Sequence, residues 1–189
     1  MTAPERELIR DVRRGNREAF GSIVQAHQRK LFGLILMMVR EPAAAEDVMQ
    51  ETFVRAYTRL DQYDDGRPFY PWVAAIAVRL AQNRLRQNAR GAARERTSID
   101  DVPEPETGNT SLPALIASEE RDVLWRAVDG LASGERTAVF LYYRDELAVK
   151  DIALALGVTT GTVKTLLFRA RRRLRLELQT RGDLLKDIR

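Results

Sequence analysis

The stretch Thr97-Ser-Ile-Asp-Asp-Val-Pro-Glu-Pro-Glu-Thr-Gly-Asn-Thr-Ser-Leu-Pro113 constrains this chain more than any other feature. It holds three of the seven prolines and follows neither a helical nor a strand period, so no regular element is expected to run through it. The chain is thereby divided into a front part, residues 1–96, and a rear part, residues 114–189, with 97–113 read as a flexible acidic linker. Extended at about 3.3 Å per residue, the linker reaches roughly 55 Å, the length of about 16 base pairs of duplex. An ordinary disordered connector has the same composition.

On both sides apolar residues recur three and four apart, and no alternating β-branched run occurs. The fold class predicted is all-α, two small helical domains. Helices are expected near Glu5 to Arg14, Arg17 to Val39, Ala43 to Leu60 and Phe69 to Ala92 in the first. Gly15-Asn16, Glu41-Pro42 and the run from Asp61 to Pro68 punctuate them. In the second, helices are expected at Leu115 to Leu131, Glu135 to Tyr143, Val149 to Leu156 and Thr160 to about Leu178. An apolar share of 44% in 189 residues suffices for packed cores.

The net charge of +4 is uninformative until it is divided along the chain. Residues 67–96 carry seven bases and one acid, 97–123 one base and seven acids, and 160–189 nine bases and three acids. Solvated helix faces would explain any one block, whereas two separated arginine-rich blocks fit a polyanion gripped at two places.

Several classes of chemistry are set aside. Without cysteine there is no disulfide, thiolate metal site or cysteine nucleophile, and His27 is the only histidine. The acid pairs Asp64-Asp65 and Asp100-Asp101 sit among turn residues without further ligands. Neither G-x-x-x-x-G-K nor H-E-x-x-H occurs, so no metal, cofactor or catalytic residue is expected. The longest apolar run, Leu31 to Val39, is nine residues, against roughly 20 needed to cross a bilayer. The start, Met1 to Arg6, resembles neither a secretory nor a lipidation signal, so no membrane insertion and a cytoplasmic location are expected.

The segment Val149 to Arg173 has the layout of a helix-turn-helix. Ala153 is small where a second helix would cross, and Gly157 suits a left-handed residue at a helix end. Thr159 or Thr160 can cap the next helix. Val163, Leu167, Ala170 and Leu174 then share one inward face, leaving Thr162, Lys164, Thr165, Phe168, Arg169 and Arg172 outward. Such a helix fits a major groove, with Arg171 to Arg175 meeting phosphates. A plain helical hairpin with a basic tail is the simpler alternative.

In Ala45 to Tyr57, Val48, Thr52, Phe53, Ala56 and Tyr57 can pack inward, with Glu46, Asp47, Gln50, Glu51 and Arg55 outward. The next helix carries Tyr70 and Trp72, then Arg79, Arg84, Arg86 and Arg90. Rings beside guanidinium groups suit a single strand, bases stacking while phosphates pair. Core packing of Tyr70 and Trp72 is the competing reading.

At these residues the chain resembles the extracytoplasmic-function (ECF) sigma factors, promoter-recognition subunits of bacterial RNA polymerase. Asp47 to Tyr57 is similar to the family's polymerase-binding helix in region 2, and Trp72 to Ala77 to its melting segment. Leu131 to Leu141, with Gly161 to Lys164 and Arg169 to Arg171, is similar to region 4. The resemblance implies that Asp47, Gln50, Glu51 and Arg55 contact the β′ clamp of the core polymerase. It implies minus-ten DNA contacts from the loop residues Asp61, Tyr63, Asp64 and Arg67, which would receive a flipped base. Tyr70 and Trp72 would stand near the melting fork, with Arg79, Asn83, Arg84 and Arg86 following. In region 4, which also touches the β flap, Thr160, Thr162, Lys164, Thr165, Phe168, Arg169, Arg171 and Arg172 would read the minus-thirty-five element. The family is commonly controlled by an anti-sigma factor, an implied further partner.

The chain departs from the family pattern at Arg79 and Asn83, where Asn and Asp are usual, and at Lys164-Thr165-Leu166, where Lys-Ser-Arg is usual. Leu166 removes an expected DNA contact and is expected to turn toward the core beside Val163. Promoter preference is therefore not transferable. Opening base pairs costs roughly 1.4 kcal/mol per step, which stacking at about 1 to 3 kcal/mol per extruded base largely offsets without hydrolysis. The rivals are a one-component helix-turn-helix regulator, a metal-free nucleic-acid enzyme and an interaction scaffold with incidental basic helices.

Overall fold

The computed structural model describes the backbone of residues 3–94 and 127–186 and the side chains of 5–88 and 127–179. The expected linker and most of the expected Leu115 to Leu131 helix lie outside the described residues, as does the Arg90 side chain.

The first domain contains α1 (Ala3–Arg13), α2 (Arg17–Val39), α3 (Pro42–Thr58), a 3₁₀ turn (Leu60–Gln62) and α4 (Phe69–Arg94). The second contains α5 (Ser133–Val139), a π-helical turn (Phe140–Arg144), α6 (Val149–Leu156) and α7 (Thr160–Lys186). Among the described residues there is no strand.

Local chemistry sets the boundaries. Asn16 caps α2, its side-chain oxygen accepting from the Glu18 and Ala19 amides at 3.1 and 3.3 Å. Arg40 ends α2 in the left-handed conformation, φ 63°, and its amide donates to the Leu36 carbonyl. Both carboxylate oxygens of Glu41 accept from the first amides of α3, Ala43 and Ala44, while Pro42 occupies the first turn, where no donor is needed. The sequence pattern carries α3 to Leu60, but the helix stops at Thr58. Arg13 of α1 explains the turn beyond it, donating to the Leu60 carbonyl at 3.1 Å and the Tyr63 carbonyl at 2.5 Å.

The inward faces of α1 to α4 make a common core around Ile9, Ile23, Leu31, Leu34, Ile35, Phe69, Val73 and Val78, all at most 1% exposed. Thr52 is buried among them with its hydroxyl donating to the Val48 carbonyl at 2.6 Å, which satisfies the only polar atom of its side chain. Tyr57, expected inward, is 39% exposed and meets the ring of Phe20 in an edge-on contact, ring centroids 5.1 Å apart.

The helix expected over Glu135 to Tyr143 is broken. The α-helical pattern ends at Val139, and the amide of Asp145 donates five residues back to Phe140. Glu146 follows with φ 54°. This wide turn aims Asp145 into the protein, where it is 3% exposed. The core is continuous across both domains, with α4 packed along α6.

Candidate nucleic-acid interface

The helix-turn-helix is assembled as the spacing requires. Gly157 closes α6 in the left-handed region, φ 66°, where a Cβ would be strained. Thr159 caps α7, its hydroxyl oxygen accepting from the Thr162 amide at 3.2 Å. Val163, Leu167 and Ala170 are buried and Leu174 is half-buried on one face. Thr160, Thr162, Lys164, Thr165, Phe168, Arg169, Arg171 and Arg172 are exposed. Phe168 is 67% exposed, unusual for a ring of that size, and stands among the cations Lys164, Arg169 and Arg172. Leu166 turns inward to Gly134, where an added Cβ would lie 3.6 Å from its methyl group. Arg171 is held differently from its neighbours: its Nε donates to the Tyr143 hydroxyl at 2.8 Å, and that hydrogen bond raises its already high pKa. Its guanidinium lies over the rings of Tyr142 and Tyr143.

On α3, Asp47, Gln50, Glu51 and Arg55 form an exposed strip. Glu51 and Arg55 pair with each other at 2.5 Å, one helical turn apart. Asp47 lies 3.9 Å from Arg84 of α4, so a carboxylate expected on one surface and an arginine expected on another share an exposed ion pair. Beside this strip, Gln28, Arg29, Phe32, Glu46, Met49 and Gln50 line a shallow groove between α2 and α3.

The loop before α4 is divided. Asp61 and Arg67 are exposed, Asp64 pairs with Arg67 at 3.1 Å and accepts from the Gly66 amide at 3.0 Å. Tyr63, expected on the DNA side, is 3% exposed, its hydroxyl donating to the Arg67 carbonyl. Burial pushes that hydroxyl's pKa up, Glu5, Asp65 and Asp64 adding to the shift and Arg13 opposing it, so it remains a donor. Its ring packs on Phe69 and Trp72, centroids 5.4 and 5.1 Å away. Trp72 is half-buried in this aromatic wall, and Arg79, Asn83, Arg84 and Arg86 are exposed farther along α4.

Tyr70, expected near an unpaired strand, is 6% exposed. Its hydroxyl donates to the Asp145 carboxylate at 2.5 Å. Burial and then the Asp145 charge drive the tyrosine pKa far up. The Asp145 carboxyl is also raised, by burial, with the Tyr70 hydrogen bond, Lys30 and Arg144 opposing. Lys30, Arg144 and Asp145 therefore belong to the surroundings of the α4 aromatics, and periodicity in the sequence carries no sign of them. Gly33 is the one legible hint, a glycine inside the apolar run from Leu31 to Val39 of α2.

Residues 23–91 match the family model for Sigma-70 region 2, and residues 121–174 that for Sigma-70, region 4. The chain is 30% identical over 186 residues to the ECF RNA polymerase sigma factor SigW of Bacillus subtilis, covering 92% of this chain and 96% of that one. It is 32% identical over 170 residues to the ECF RNA polymerase sigma-E factor of Escherichia coli, covering 87% and 88%. Two solved structures share the fold. RpoE of Bartonella quintana, in complex with the anti-sigma factor NepR, has a TM-score of 0.68 at 22% identity, covering 85% of this chain and 96% of that one. CnrH, in complex with the cytosolic domain of CnrY, has 0.66 at 24% identity, covering 94% and 99%. The chain belongs to the ECF sigma factors of the sigma-70 family. Its two domains are regions 2 and 4 of a transcription initiation factor that acts with RNA polymerase at promoters.

Proposed function

We propose a residue-level division of this activity. Asp47, Gln50, Glu51 and Arg55 dock on the β′ clamp of core polymerase. Asp61, Asp64, Arg67 and Trp72 engage the unpaired minus-ten strand together with Arg79, Asn83, Arg84 and Arg86. Tyr63 acts from behind as a prop, and Tyr70 joins once its hydroxyl is released from Asp145. Thr160, Thr162, Lys164, Thr165, Phe168, Arg169, Arg171 and Arg172 read the minus-thirty-five duplex, and region 4 also meets the β flap.

The observation that carries the reading is the α7 face, where a 67% exposed Phe168 stands beside Lys164 and Arg169 on a helix whose opposite side is packed. An apolar ring among cations suits a thymine methyl flanked by phosphates. No hydrolytic chemistry is required, and the protein works without being an enzyme, in the cytoplasm with the polymerase. An anti-sigma factor controls it, a proposal supported by two fold neighbours that were each solved bound to a second protein, NepR named as an anti-sigma factor.

In-vitro transcription with sigma-free core polymerase and a genomic DNA library tests the whole reading. Defined start sites that depend on this chain are expected. Their absence from every template refutes it.

A further inference from the structure

We propose that the unbound chain holds itself shut: Asp145 of region 4 latches Tyr70 of region 2, and while the latch is closed the Tyr70 ring is withheld from an unpaired base. The second half of this inference rests on the proposed role of the α4 aromatics, whereas the latch itself does not.

Three elements of region 2 converge on the latch. From α4, the Tyr70 hydroxyl meets Asp145 Oδ2 at 2.5 Å. From α2, Lys30 Nζ donates to the Asp145 carbonyl at 2.8 Å and stands 4.6 Å from the centre of the Tyr70 ring. Also from α2, His27 stacks on that ring at 5.9 Å and is itself fixed by Glu5 of α1 at 2.7 Å. The ring is thus sealed by polar groups in contact with it, not by apolar collapse alone.

Gly33 supports the same conclusion from the backbone. A glycine inside a 23-residue helix is unfavourable relative to alanine. Here a Cβ would collide with the Arg144 guanidinium, which lies directly on α2. The neighbour of Asp145, in this rotamer, therefore occupies space that the missing side chain of Gly33 leaves free.

The latch is also built to release. Asp145 Oδ1 is buried with no hydrogen-bond partner among the described residues, so part of what the closed form gains through Oδ2 it loses at Oδ1. Opening hydrates both oxygens and frees Lys30 and Tyr70 together. A buried polar contact of this kind gives register and reversibility more than strength.

The chain lacks cysteine, so Ser22→Cys and Ser133→Cys, one exposed serine in each domain, can carry a donor and acceptor dye in the full-length protein. A compact high-transfer population is expected for the free chain, and Asp145→Ala should shift it toward low transfer. Tyr70 is intact in that variant. Its affinity for a labelled mixed-sequence single strand of about twelve nucleotides should therefore rise about tenfold, as the binding-competent fraction rises. Lys30→Met should move both readouts in the same direction, which guards against a folding defect peculiar to Asp145→Ala.

Equal transfer in the free wild type and both variants overturns the latch. Lower transfer without a gain in strand affinity overturns the withholding of Tyr70. Neither result bears on promoter-dependent transcription by the wild type, so failure there counts separately, against the proposed function alone.

Discussion

Arg173 of α7 reaches Glu135 at the start of α5, guanidinium to carboxylate at 3.1 Å, with the arginine 58% exposed and the carboxylate 5%. The pair ties the back of the DNA-reading helix to the first turn of its neighbour, where a negative charge also suits the helix dipole. A fully exposed pair would add little, but one partner here is buried and depends on the other.

Arg173→Ala should therefore destabilise region 4 by about 1 kcal/mol, less than a fully buried pair because water reaches the arginine. Urea denaturation followed by circular dichroism provides the check. An unchanged midpoint would mean that Glu135 is satisfied without it.

Phe168→Ala separates recognition from folding. The ring is 67% exposed, so its loss should change stability by no more than about 0.5 kcal/mol. Affinity for the upstream promoter element should fall by about 1 kcal/mol or more if the ring meets a base methyl. Lys164→Ala should instead weaken all duplexes alike and reduce the salt slope by about one. Salt titrations of both variants on cognate and scrambled duplexes distinguish the two behaviours. Loss of discrimination in Lys164→Ala but not in Phe168→Ala would reverse the assignment.

What is legible in the sequence and what is not follow from the range of the interactions involved. The inward face of α7, the glycine at 157 and a threonine cap depend on neighbours within one or two turns, and spacing reveals such features. The exposed strip on α3 is readable for the same reason. Tyr63 and Tyr70 are not, because they sit against Arg13, Lys30 and Asp145, up to 75 residues away. An aromatic among arginines looks the same in sequence whether a base or a carboxylate receives it. The π-helical turn escapes as well, since its one extra residue shifts the register without altering the composition.

Asp47 and Gln50 are both exposed, and Asp47 makes a long pairing with Arg84 at 3.9 Å. Asp47→Ala with Gln50→Ala should leave the melting temperature within about 2 °C, as expected of surface changes. Retention on immobilised core polymerase should nevertheless fall at least tenfold, the loss of a small hot spot. Full retention by the folded double variant would exclude this strip from the docking surface.

The raised carboxyl of Asp145 gives the closed arrangement a pH dependence whose sign is fixed. In the closed form burial favours the protonated acid, against the Tyr70 hydroxyl, Lys30 and Arg144, which favour the anion. In the open or unfolded form the carboxyl faces water and takes its ordinary value near 4. The closed form therefore binds the proton more tightly. Stabilisation from this group is complete below the ordinary value and is lost as pH rises through the raised one. Acidification from neutrality through that window should increase energy transfer between dyes at positions 22 and 133. Asp145→Asn, which keeps the size and removes the titration, should flatten this component. The difference between the two titrations isolates Asp145, because every other ionising group is common to both. A wild-type curve that coincides with that of Asp145→Asn, or that rises toward alkaline pH relative to it, would show that the carboxyl is not desolvated on closure.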